Sequence, residues 1–248
     1  LAACEYGGDK GIFAYGATSG GYDFVSMSNL VSNAGVVATD VTGVGTARRA
    51  PAACSYGEDK GIFGYGDTGS YVSMTNLVSN AGVVGTDVTG VGTVRRYVGA
   101  CEYGEDKGIF GYGDAAAAKY SMTNLVSNAG VVATDTTGVG TARGYVGACG
   151  YGGDKGIFGY GYIGSGVVSM TNLVSNTGVV ASDTAGVGTA RSNLPATQYG
   201  DDKGIFGYGH DAVEDVSMTN LVSNTGVVAS DVTGVGTARR GLAACSFN

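Results

Sequence analysis

The side chains able to carry chemistry are few, and all but one recur at a fixed spacing. His210 is the only histidine among 248 residues, so a Ser-His-Asp site could be built once at most, and no matching cysteine-histidine pair follows from the sequence. It falls in a variable loop and reads as a solvated residue. Cys4, Cys54, Cys101, Cys149 and Cys245 share one slot of a repeat that Thr197 fills in the remaining copy. An odd count with a threonine replacement reads as small buried thiols rather than a disulfide framework. Asp40, Asp87, Asp135, Asp183 and Asp231 precede Thr-Gly-Val-Gly or its variants. One carboxylate per unit is thin for calcium, and an aspartate bonding its own turn is expected instead. Gly64-Tyr-Gly66-Asp-Thr-Gly69 and Gly159-Tyr-Gly161-Tyr-Ile-Gly164 match the dinucleotide glycine spacing, but neither opens a helix. No zinc spacing, phosphate loop or pair of catalytic carboxylates stands out, so a non-enzymatic chain with no cofactor and no metal is expected.

The elements that hold these residues come from one stretch, seen most cleanly as Cys101-Glu-Tyr-Gly-Glu-Asp-Lys-Gly-Ile-Phe-Gly-Tyr-Gly113, which recurs with small changes from Cys4, Cys54, Gly150 and Gln198. Each copy is followed by a variable patch, then Ser-Met-Thr-Asn-Leu-Val-Ser-Asn or a relative, then Gly-Val-Val and Thr-Gly-Val-Gly-Thr. Equivalent slots lie 47 to 50 residues apart, a period of propellers and solenoid arrays. Glycine interrupts the pattern every few residues, and β-branched and aromatic types dominate between, so strands are expected rather than helices. In the second unit they read as A around Ala52–Cys54, B over Gly61–Tyr65, C over Val72–Val78 and D from Val83 to about Arg95. Four strands per unit make a propeller blade. The expected fold is all-β, a five-bladed propeller of four-stranded antiparallel blades in a single domain over 1–248. Its units run approximately over 1–50, 51–97, 98–145, 146–193 and 194–241.

Leu-Ala-Ala-Cys occurs at both ends, at Leu1–Cys4 and at Leu242–Cys245, which gives six copies of strand A for five blades. The C-terminal copy is favoured to complete the first blade and so close the ring by pairing the termini. Residues 242–248 are thus the ring-closing or the surplus strand, and whichever copy is left over would be displaced or pair elsewhere, including with another chain.

Composition bounds the partners. A net charge of −7 with only 14 Lys and Arg argues against a nucleic-acid surface. No apolar run approaches the roughly 20 residues of a spanning helix, and the start lacks the regions of a signal peptide, so a soluble chain without membrane insertion is expected. Glycine at 47 residues without a three-residue period excludes collagen and predicts many tight turns.

The segment Arg-x-x-Leu-Ala-Ala-Cys, a polar turn, Lys-Gly-Ile-Phe-Gly-Tyr-Gly and two further strands resemble Kelch-type propeller repeats over the whole chain. The flavour is the glycine-rich, Trp-free one of bacteriophage virion and tail-fibre-like proteins and environmental bacterial sequences. That resemblance implies a virion-surface or extracellular setting and a larger viral assembly as partner.

In such a blade the A–B and C–D turns share one face, and here they repeat almost verbatim. The B–C segments and D–A crossovers share the other face and vary. Variable loops on a rigid scaffold are where recognition sits, so Tyr22, Tyr71, Tyr97, Tyr120, Tyr145, Tyr162 and His210 are the candidate contacts for a protein or glycan ligand. The alternative is a multivalent lectin-like protein with up to five equivalent sites at the recurring Asp-Lys turns, such as Asp59-Lys60 and Asp106-Lys107.

Overall fold

Gly7 and Gly8, at φ 64° and 76°, fold Ala2–Tyr6 back onto Lys10–Ala17, because positive φ at consecutive residues is the backbone twist a tight hairpin needs. These strands, β1 (Ala2–Tyr6) and β2 (Lys10–Ala17), pair with β3 (Phe24–Val31) in a three-stranded antiparallel sheet. The computed structural model describes residues 1–18 and 23–246, and there this sheet recurs four more times. The second holds β4 (Ala52–Tyr56), β5 (Lys60–Asp67) and β6 (Tyr71–Val78). The third holds β7 (Gly99–Tyr103) and β8 (Lys107–Gly111), with its variable loop forming a separate ladder of β9 (Asp114–Ala115) and β10 (Ala118–Lys119), before β11 (Thr123–Val126). The fourth holds β12 (Gly147–Tyr151), β13 (Lys155–Tyr162) and β14 (Val167–Val174), and the fifth β15 (Ala196–Tyr199), β16 (Lys203–Gly207) and β17 (Thr219–Val222). The chain is thus all-β, built of repeated small antiparallel sheets.

The expected fourth strand is not a continuous one. The segment from Val83 forms no ladder with β6: it meets it at the isolated bridges Val78↔Val84 and Thr75↔Val88 and again where Arg95 N donates to Val72 O at 3.4 Å. Asn76 explains the gap, since its Nδ2 donates to Gly85 O at 3.0 Å and to Asp87 Oδ1 at 2.9 Å, and so occupies the outer segment with side-chain rather than ladder bonds. This edge is also where Val83, at 64% exposure, meets solvent.

The sheets lean on one another through their inner strands. β1, β4, β7, β12 and β15 stand side by side in chain order, and equivalent residues of each line one cavity together with Ala244, Cys245 and Ser246. Inner glycines permit the approach. A Cβ on Gly64 would lie 2.8 Å from Phe110 Cζ of the next sheet, and one on Gly111 would lie 2.7 Å from Phe158 Cζ, the close packing expected of a glycine inside a strand. Each core cluster accordingly joins two neighbouring sheets, as Ile12 and Tyr15 do with Phe63 and Val78.

The termini do not pair as expected. The inner strand of the first sheet is the N-terminal copy, β1, in register with β2 from Ala2↔Ala14 to Tyr6↔Lys10. A three-residue loop closes far more cheaply than one spanning the whole chain. Leu242–Ser246 instead lies as a sixth equivalent segment between β15 and β1, and no ladder joins it to a strand among the described residues. Its placement repeats the others: the Cys245 thiol accepts a backbone hydrogen bond from Ile12, as Cys4 does from Ile62. All five cysteines are free, in line with the expectation of unpaired thiols. No described helix is long and apolar enough to cross a membrane.

Candidate functional site

The crossovers from each outer segment to the next inner strand form a linked rim. Ala50, Tyr97, Tyr145 and Asn193 adopt left-handed φ between 51° and 60°. Each crossover donates its amide to the preceding one: Tyr97 N to Ala50 O at 3.3 Å, Tyr145 N to Tyr97 O at 3.0 Å, Asn193 N to Tyr145 O at 3.2 Å, and Gly241 N to Asn193 O at 3.0 Å. This backbone chain sets the side-chain spacing. Tyr97 and Tyr145 stack with centroids 3.8 Å apart and planes 22° apart, and Tyr162 meets Tyr145 edge-on at 6.5 Å. The rim opens into a cavity of about 270 Å³ whose wall includes Tyr97, Tyr145, Asn193, Arg49 and Pro51. That volume lies just under the range of small-molecule sites and suits one projecting side chain or one sugar ring.

Around the aromatic stack runs an ionic chain that sequence reasoning missed. Arg49 and Arg96 both reach Asp67 Oδ2, at 3.0 and 2.8 Å, while Arg96 Nε and Lys119 Nζ hold Asp114 at 3.2 and 2.9 Å. Burial pushes the Asp67 carboxyl up, but the Gly69 amide and the two guanidinium groups outweigh it and hold it below the usual carboxylate range. Arg96 also lies 5.0 Å above both Tyr71 and Tyr97, and Lys119 5.6 Å above Tyr162, so the rim presents aromatic faces already paired with cations. The available signal was the Arg-Arg doublets Arg48-Arg49 and Arg95-Arg96, where the first arginine is invariant and the second is not.

Of the candidate tyrosines, Tyr97 and Tyr145 line this cavity, Tyr162 packs against Tyr145, and Tyr71 shares Arg96 with Tyr97. Tyr120 joins only through its backbone, donating to Gly113 O and accepting from Arg143 N. His210 stands in the fifth sheet's loop, with Nδ1 3.1 Å from Asp215 Oδ1, and bridges Ser192. Tyr22 lies outside the described residues.

The invariant features serve structural bonds. Asp87 does not bond its own turn as expected: it accepts from Thr46 N and Oγ1 of the preceding unit, at 3.0 and 2.6 Å, because the loop of one unit lies against the next sheet. Asp135, Asp183 and Asp231 do the same to Thr93, Thr141 and Thr189. Arg48, Arg95, Arg143 and Arg191 are wholly buried. Each donates through Nη2 to the next unit's Asn76, Asn124, Asn172 or Asn220. In the Asp-Lys turns, Asp59 pairs with Lys60 at 2.7 Å and accepts from Asn80 at 3.0 Å, and its carbonyl accepts from Gly7 N of the preceding unit. Among the described residues no group of His, Cys, Asp and Glu is arranged to hold a metal.

Comparison with protein-family models and with curated proteins finds no match to the chain.

Proposed function

We propose that the chain is a non-enzymatic binding or structural module, a propeller-like ring of Kelch type that receives a protein or glycan partner at the Tyr97–Tyr145 mouth. The observation that carries this reading is the stacked Tyr97–Tyr145 pair lining one cavity, extended by Tyr162 against Tyr145, by Arg96 over Tyr71 and Tyr97, and by Lys119 over Tyr162. These residues come from the segments that vary between units, while the invariant residues are consumed in sheet-to-sheet bonds. Rigid stacked aromatics bind with little loss of conformational entropy, and paired cations add attraction for sugar hydroxyls or carboxylates. The resemblance to phage virion and tail-fibre-like repeats makes a virion or other extracellular surface the preferred setting. The multivalent alternative at the Asp-Lys turns has less support, since both carboxylate oxygens of Asp59 already have partners.

The test is an array of saccharides and purified surface proteins, read with the stoichiometry of binding. One ligand per chain, lost at least tenfold on Tyr97→Ala or Tyr145→Ala with unchanged thermal stability, supports the mouth. Binding near five per chain that ignores both substitutions moves the site to the repeated turns. An ordered position in a larger particle would support the virion setting.

A further inference from the structure

Four junctions between neighbouring sheets are built alike. The tyrosine of one sheet meets the next sheet's phenylalanine edge-on at 5.1 to 5.4 Å, as Tyr15 meets Phe63 and Tyr160 meets Phe206. A threonine reaches the next sheet's aspartate, and a buried arginine reaches its asparagine.

The fifth sheet carries the same outgoing set with nothing beyond it among the described residues. Arg239 lies 4.8 Å over Tyr208, and the Tyr208 hydroxyl donates to Val235 O at 3.2 Å, so this half-junction is formed. Yet Arg239 and Thr237 are exposed, and Val235 is 81% exposed where its equivalents Val139 and Val187 are 36% and 37%. The first sheet carries the matching incoming set. Asn29 Nδ2 donates to Asp40 Oδ1 at 2.8 Å, just as Asn76 does to Asp87. Asn29 and Phe13 are half-buried, however, while Asn76 and Phe63 are fully buried. Between these walls the inner position is already taken by Leu242–Ser246, seated on Ile12 in the repeat's own register.

We propose that the space between the fifth and first sheets is a docking slot for one more sheet of this same repeat, a polypeptide of about forty residues with the second- and third-strand sequence of the other units. Its phenylalanine faces Tyr208, its asparagine and aspartate accept from Arg239 and Thr237, and its own threonine and arginine reach Asp40 and Asn29. The occupied junctions dictate this chemistry. A second copy of the chain does not supply it, because a filling sheet needs both sides free. In a second copy only the first and fifth sheets are open, each on one side. This inference rests on the ring proposed above, but it is read through stability and oligomeric state rather than through ligand at the Tyr97–Tyr145 mouth.

The experiment appends a copy of residues 58–96 directly after Asn248 of the full chain, since Cys245-Ser246 corresponds to Cys54-Ser55. The expected result is a Tm higher by roughly 5–10 °C, several stabilising contacts at the few degrees that each contributes in a chain of this size. Hydrogen-exchange protection should spread to the backbone of 232–241. The same extension carrying Asn76→Ala, Asp87→Ala and Arg95→Ala in the appended copy should lose most of the gain. An appended segment that stays unprotected overturns the proposal. In the unextended chain, Arg239→Ala should leave Tm unchanged while Arg143→Ala lowers it. Equal losses would mean the slot is already filled. A dimer of the unextended chain that dissociates on Arg239→Ala or Asp40→Ala would make a second copy the occupant and equally overturn the proposal.

Discussion

Tyr112 occupies a backbone state that costs a side-chain-bearing residue about 1 kcal/mol, at φ 64°, and the tyrosine of every Gly-Tyr-Gly does the same. The ladder register slips at this point in the neighbouring sheets, between Gly64 and Gly66 and between Gly159 and Gly161, the mark of a bulge that re-aims one side chain. The re-aimed ring is wholly buried, meets Phe158 at 5.1 Å, lies under Arg143 at 4.2 Å and donates its hydroxyl to Val139 O at 3.2 Å. Packing therefore outweighs strain. Tyr112→Gly should relax the backbone yet destabilise by about 3 kcal/mol in urea unfolding, as large aromatic truncations do. Tyr112→Phe, which keeps the ring, should cost about 1 kcal/mol for the lost hydrogen bond. A smaller φ or a hydroxyl-only effect in the glycine variant would remove the bulge argument. Glu105 is the opposite case. It stands at φ 69° in a turn where Gly8 and Gly153 occupy the equivalent place with open space around them. Glu105→Gly should raise stability by about 0.5 kcal/mol, strain relief less the added entropy of the unfolded chain.

At the scale of the sheets, the arginine junctions decide cohesion. Arg143 donates from Nε to Tyr160 O at 2.8 Å, from Nη1 to Thr141 O at 3.0 Å and from Nη2 to Asn172 Oδ1 at 2.6 Å. Burial pulls its pKa down, with Tyr112 and Asp183 opposing, but an arginine starts so high that it stays charged. Arg143→Ala strands the Asn172 and Tyr160 acceptors in a dry junction and should destabilise by about 3–5 kcal/mol. Arg143→Lys, which lacks the fork, should recover less than half of that loss, measured as the shift in urea midpoint at constant slope. The strands themselves were legible in the sequence, B as Gly61–Tyr65 within β5 and C as Val72–Val78 within β6, because glycine punctuation and β-branched runs are local signals. The aspartate–threonine junctions were legible only as recurring residue types. Asp87 finds Thr46 some 41 positions away, and nothing local to either residue says that the bond crosses to the next unit. The same holds at the mouth: tyrosines in variable loops could be picked out, but the Tyr97–Tyr145 stack follows from amide bonds between crossovers of different units.

For the molecule as a whole, the cavity among the inner strands sets the response to pH. Glu5 and Glu102 line it together with the cysteines. Burial, then Glu102 and Asp9, push the Glu5 carboxyl up to about 7, and burial raises Glu102 although Ser55 hydrogen-bonds its carboxylate. Both groups hold a proton more tightly folded than unfolded. Their contribution is therefore complete below about 4.5 and is lost as pH rises through about 7 for Glu5. The junction aspartates act in reverse. Burial raises Asp87, but its bonds from Thr46 and Asn76 prevail and leave it low, so its contribution is present above its unfolded value near 3.8 and disappears as pH falls below it. Stability should peak near pH 4–5 and decline toward pH 7.5, the opposite of a chain governed by surface ion pairs. Glu5→Gln should flatten that decline and raise stability at pH 7.5 by about 1 kcal/mol, the linkage value discounted because the carboxyl is partly open to water. It should leave the acid limb below pH 4 unchanged, since that limb belongs to the aspartates. Urea unfolding of both proteins from pH 3 to 8 checks this, and parallel curves for the two would take the cavity carboxylates out of the account.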